Sequence, residues 1–166
     1  MGRQIKRMSA ERIDLLAFPP TLIQFRGRCL TVLRADLAAV VPEEGCALLL
    51  GSPRTTSVIT VERVWPCRNI WMPAPERHRR FALDPREQIA AQRWARSQQC
   101  VVVGVAHSHP RSDPHPSRID RQLADPALVT VILDGGGRVK GWWLPDGLEA
   151  APVPVEVWDT EALRGG

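Results

Sequence analysis

The chain has 166 residues, 44% hydrophobic and 24% charged, with a formal net charge of +4 and a pI of about 9.3. That length fits one domain with a real core, and the mild basicity bears on encounter and solubility rather than on fold. No apolar run approaches the ~18 residues of a membrane span, and the scattered Cys29, Cys46, Cys67 and Cys100 exclude a zinc ribbon and a dense disulfide frame.

Residues 1–20, "MGRQIKRMSAERIDLLAFPP", start basic, but Glu11 and Asp14 interrupt any signal-peptide core, and Lys6 stands where a myristoylation signal needs Ser or Thr. They read as an extension outside the core of a cytoplasmic protein with reduced thiols. "LTVL" (30–33) suits a short strand, and "RADLAAVV" (34–41) a helix ending before Pro42. "CALLLG" (46–51) is a buried strand closed by Gly, and "VITVERVWP" (58–66) alternates as another strand. Residues 67–82 form a Pro/Arg-rich loop. Its run Arg77-His78-Arg79-Arg80 reads as a solvated face, with a docking patch as the rival reading.

Asp84 is an N-cap, Pro85 a first-turn proline and Glu87 a capping-box partner for the amphipathic helix "PREQIAAQRWARSQQ". "VVVGVAH" (101–107) is the most hydrophobic segment and predicts a central strand. A short helix follows near Arg118–Leu123. "LVTVIL" (128–133) and "VKGWWL" (139–144) are joined by the hairpin signal "DGGG", and "VPVEVW" (153–158) adds an edge strand. Trp142 and Trp143, adjacent on a strand, point to opposite faces. Strands and helices alternate imperfectly, which predicts an α/β fold: a mixed sheet with helices packed on it.

Three of the four histidines fall within "HSHPRSDPHPSRID" (107–120). His107 and His109 sit two apart at the end of the apolar strand, so both imidazoles share one face, while Ser108 points the other way. Asp120 returns after a loop stiffened by Pro110, Pro114 and Pro116. Two imidazoles and a carboxylate are the ligand set of a catalytic zinc, leaving a fourth position for water. Bound zinc lowers the pKa of that water to about 7. Glu43 and Glu44 stand just before a buried strand, and either is a candidate base. Read singly, each residue has a plainer role: Asp120 and Ser117 as helix caps, Glu44 as a loop carboxylate, His115 as a loop tip between prolines. Cys46, in an apolar run, reads as core rather than nucleophile.

"HSHP", six residues, then "SRID", with the upstream "PEEGCALLLG", resembles the signature of the JAMM, or MPN-plus, metallopeptidases. "RFALDP" (80–85) and "GWWL" (141–144) look like the short bacterial members. The resemblance implies a single-domain MPN, cytidine-deaminase-like α/β fold. It bounds an N-terminal extension at 1–28, a catalytic domain at 29–146, and a C-terminal strand and tail at 147–166. It implies that His107, His109 and Asp120 ligate one Zn2+ per chain. It also implies that Glu44 activates the zinc-bound water as general base and that Ser117 donates to the oxyanion. The implied substrate is a peptide or isopeptide bond after the C-terminal Gly-Gly of a ubiquitin-like or ThiS/MoaD-like sulfur-carrier protein. Cys46-Ala47 departs from the family's Cys-Gly, and the chain is too short for the insertions that grip polyubiquitin. The rival reading is an MPN scaffold without catalysis. A membrane partner is excluded, nucleic acid is disfavoured, and a homodimer stays open. The terminal Arg164-Gly165-Gly166 reads as a flexible end.

Overall fold

At the centre of the main sheet lies the nine-residue strand Val101–His109, and its C-terminal end carries both motif histidines. The computed structural model describes residues 19–159. The basic N-terminal stretch to residue 18 and the Arg164-Gly165-Gly166 tail lie outside them. In chain order the strands are β1 (Leu22–Arg26), β2 (Cys46–Gly51), β3 (Val58–Val61), β4 (Arg63–Cys67), β5 (Val101–His109), β6 (Val129–Asp134), β7 (Val139–Trp143), β8 (Ala151–Val153) and β9 (Val155–Trp158). The helices are α1 (Cys29–Ala38), α2 (Pro85–Ser97) and α3 (Arg118–Leu123).

Six strands form the main sheet in the order β4-β2-β5-β6-β7-β8. β5 is antiparallel to β2 and parallel to β6, so the sheet is mixed. Every residue of β2 and of β6 is buried, as expected for strands covered on both faces. The period of two sorts β2 between two cores. Ala47 and Leu49 pack with Leu33, Leu37 and Val131 on one face, and Leu48 and Leu50 with Ala91 and Ala95 of α2 on the other.

Several local readings give way to longer-range packing. "LTVL" is helical, because Leu30, Leu33 and Leu37 recur at helical spacing and bury one stripe of α1 against the core. The stretch 58–66 is two strands rather than one. β3 pairs with β1, while β4 pairs with β2, and the chain changes sheets at Glu62. The segment 153–158 divides in the same way at Pro154, between β8 on the main sheet and β9 on the second. The second sheet, β3-β1-β9, is wholly parallel. It draws Leu22–Arg26 into the domain: Ile23 and Phe25 are fully buried, so residue 28 is not the edge of the core. Asp84 caps α2 by accepting from the Arg86 N–H at 2.9 Å, but Glu87 does not close a capping box. Its carboxylate accepts from the Arg68 N–H at 2.6 Å instead.

Trp142 and Trp143 do point to opposite faces. The Trp142 indole donates to the Pro114 carbonyl at 2.9 Å and that of Trp143 to Pro126 at 3.1 Å, so each ties down a loop. Among the described residues no helix is long and apolar enough to cross a membrane.

Candidate metal centre

β5 presents His107 and His109 on one face, with their Nε2 atoms 3.1 Å apart. His107 is fully buried and His109 nearly so. Between them, Ser108 faces the other way and exchanges two bonds with Gly45: the Gly45 N–H donates to Ser108 Oγ at 2.8 Å, and the Ser108 N–H to the Gly45 carbonyl at 3.0 Å. That exchange brings the residue before Gly45, Glu44, alongside the histidines. Glu44 is 5% exposed, and its Oε1 lies 4.0 Å from His109 Nε2. Glu43 is only partly buried and makes a local turn to Val40, so Glu44 is the carboxylate that the fold aims at the site.

Asp120 arrives on the first turn of α3. Ser117 is the N-cap, and the two make a reciprocal capping box. The Ser117 N–H donates to Asp120 Oδ2 at 2.6 Å, and Ser117 Oγ accepts from the Asp120 N–H at 3.1 Å. The same carboxylate places Oδ1 3.4 Å from His107 Nε2 and Oδ2 3.4 Å from His109 Nε2. Capping and site geometry are therefore one arrangement. Ser117 Oγ acts as an acceptor toward the helix and keeps its own proton to donate elsewhere.

The electrostatics follow from burial and these partners. Burial disfavours the charged form of Asp120, but bonds from His107, His109 and the Ser117 N–H outweigh it and hold the carboxyl well below the usual range. Burial pushes the His107 imidazole down and keeps it neutral, although Asp120 pulls the other way. Burial also lowers His109, but the bonds to Asp120 and the Asp113 carbonyl prevail and its net shift is upward. Glu44 is pushed up to about 7, chiefly by burial, with His109 opposing the shift and Asp120 adding to it.

The donor set fits a metal ion. His109 Nδ1 lies 2.8 Å from the Asp113 carbonyl, a bond that keeps the proton on Nδ1, so that in the neutral ring the Nε2 lone pair faces inward. Glu44, His107 and His109 place ligand atoms within 4.8 Å of one another, and the Asp120 oxygens face both imidazoles. Lone pairs crowded together in this way repel unless a cation, or protons, stand between them. Phe81 closes the back of the site, its ring stacked on His107 at 4.4 Å and 24°. A groove of about 490 Å³ opens beside His107, Ser117 and Asp120, floored by apolar side chains including Leu48, Val102 and Val105.

The structure thus gathers Glu44, His107, His109, Ser117 and Asp120. It keeps His115 apart: half-exposed, it lies against Trp142 with ring centroids 5.2 Å apart. Cys46 is core, its thiol pushed up to about 12 by burial. In the basic run, Arg77 donates to the Trp71 carbonyl, and Arg79 and Arg80 pair with Glu76 while lining the groove. Phe81 stacks on His107, Trp142 bonds the Pro114 carbonyl and Asn69 bonds the Glu44 carbonyl, contacts that no local pattern in the sequence marks. The only hint is that Phe81 lies in "RFALDP" and Trp142 in "GWWL".

Residues 27–145 match the family model described as prokaryotic homologs of the JAB domain. The chain is similar to a desampylase of Haloferax volcanii, with 32% identity over 151 residues, covering 90% of this chain and 100% of that protein. It is also similar to the tail tip assembly protein K of Escherichia phage N15, 33% identical over 104 residues, but spans only 37% of that protein's length. A solution structure from Desulfitobacterium hafniense superposes with a TM-score of 0.73 at 27% identity, covering 82% of this chain and 93% of the other. One from Salinibacter ruber gives 0.62 at 30% identity, covering 83% and 93%. The match to the JAB model runs through the strand, loop and helix that carry the site, and the chain belongs to the family of prokaryotic JAB-domain homologues.

Proposed function

We propose that the protein is a zinc-dependent isopeptidase that hydrolyses the amide after the C-terminal glycine of a small ubiquitin-like protein of the ThiS/MoaD kind. The observation that carries this reading is the convergence of Glu44, His107, His109 and Asp120 on one buried point beside an open groove. The desampylase likeness over the whole of that relative supports the reaction class. We assign the metal to His107, His109 and Asp120, whose inner atoms lie 3.1 to 3.4 Å apart, and leave Glu44, at 4.0 Å, as the proton-transfer group.

His107, His109 and Asp120 would hold a zinc ion, which would supply an acidified water and Lewis-acid polarisation of the scissile carbonyl. The chain's own residues do the rest. Glu44, with a pKa near 7, is suited to take a proton at neutral pH and return it to the leaving amine. Ser117 directs its hydroxyl proton toward the developing oxyanion. The groove beside them offers an apolar wall, and an extended diglycine tail lets backbone approach closely. The four cysteines are all free thiols, which fits a reducing compartment such as the cytoplasm.

The test is cleavage of ThiS/MoaD-like proteins fused through their terminal glycine to short peptides, read by mass spectrometry. Release of the carrier with a free glycine carboxylate is expected from the wild type and none from His107→Ala, which loses the metal as well. A zinc-loaded wild type that cleaves no carrier would overturn the reading and favour a binding scaffold.

A further inference from the structure

Asn69 sits half-buried in the loop between β4 and α2, and every hydrogen-bonding position of its side chain is used. Its Nδ2 donates to the Glu44 carbonyl at 3.0 Å and to the Arg80 carbonyl at 2.8 Å. Its Oδ1 accepts from the Trp71 N–H at 3.0 Å and the Ala82 N–H at 3.2 Å. The bond to Trp71 is a local Asx turn, common in loops. The other three are not local: they reach across 11, 13 and 25 residues of sequence.

What they join is specific. Arg80 and Ala82 flank Phe81, whose ring backs the His107 imidazole at 4.4 Å. The Glu44 N–H is also tied to this loop, donating to the Arg77 carbonyl at 2.7 Å. The ladder between β2 and β5 begins only at Cys46–His107, two residues beyond Glu44. The backbone of Glu44 is therefore held from two sides, by the Gly45–Ser108 exchange and by the loop, and Asn69 is the side chain that couples it to the segment behind the histidine.

We infer that Asn69 is a positioning residue: it sets where the Glu44 carboxylate stands relative to the His107–His109 pair. The inference rests on the reading of function above, in which Glu44 transfers the proton. Its role is to hold geometry and not to touch substrate. Small displacements of a proton-transfer group cost large factors in rate, while ligands on β5 and α3 stay in place.

The test compares wild type with Asn69→Ala and Asn69→Ser, the serine keeping one donor. Zinc content, amide hydrogen exchange, and kcat and KM on a carrier fusion are measured on the same samples. We expect one zinc per chain in all three and KM within about twofold. kcat should fall ~10-fold or more in the alanine variant and less in the serine variant. In a Glu44→Gln background, Asn69→Ala should add almost nothing to the loss, because both act through one carboxylate. Exchange at the Glu44 and Ala82 amides should quicken about tenfold or more, with β5 unchanged. Unchanged exchange, or unchanged kcat in folded, zinc-loaded variants, overturns the inference. So does parallel loss of zinc or fold in both variants, since Asn69 would then be only structural. If wild type itself cleaves nothing, the function reading fails, and the exchange comparison still decides whether Asn69 anchors Glu44.

Discussion

Glu44 is a buried carboxylate held beside two imidazoles, and this predicts two separable effects of removing its charge. Glu44→Gln should keep zinc, because the proposed ligands His107, His109 and Asp120 are untouched, yet lose nearly all turnover; turnover that survives would make Glu43 or another group the base. In the metal-free protein the same substitution should stabilise at alkaline pH. The folded pKa of Glu44 is raised to about 7. Its contribution is therefore whole below the ordinary carboxylate value and is lost as pH rises through the folded value. The variant should exceed wild type by up to about 3 kcal/mol near pH 8, with no difference near pH 4. Denaturant melts in the presence of a chelator read this directly. Ser117→Ala tests the hydroxyl. It should slow turnover by about 10² to 10³ if that proton meets the oxyanion, and cost about 1 kcal/mol of stability as a lost N-cap. These chemical residues were legible because strand periodicity places His107 and His109 on one face and because the motif spacing matches a family. Asn69 and Phe81 were not, since their contacts depend on where a distant loop lands.

At the scale of elements, the histidine loop is held from outside the motif. Trp142 on β7 anchors Pro114, and the turn after β6 presses on the loop's start. A Cβ added at Gly135 would lie 2.3 Å from the Pro110 carbonyl, next in sequence to His109. Gly135→Ala should therefore cost about 1–3 kcal/mol, as overpacking does, and weaken zinc binding by shifting the loop. At Gly136 the nearest atom is a side-chain oxygen at 3.4 Å, so Gly136→Ala should change neither. Thermal melts and zinc titrations of the two variants distinguish them. The sequence showed β2, β5, β6 and β7, α2 and α3 clearly, because buried apolar runs, an N-cap and a glycine turn are local signals. It hid the division of 58–66 and 153–158. A change of pairing partner leaves the alternation of side chains intact, so nothing in the local pattern marks it. It also misread "LTVL", where four residues cannot distinguish a strand from one turn of a leucine-striped helix.

For the whole molecule, two sheets and two main helices enclose a core that puts the end of β5 at a groove, and the prokaryotic JAB family relation matches that architecture. An ion bound only by the folded site must also stabilise it by mass action, so chelation should lower Tm and one equivalent of zinc should restore it. The decisive measurement is cleavage of a glycine-terminated carrier fusion by chelated, metal-free protein, before and after adding one equivalent of zinc. No cleavage before and full cleavage after is the predicted result, with His107→Ala inactive throughout. Cleavage by the metal-free chain, or by His107→Ala, would contradict a centre built from His107, His109 and Asp120.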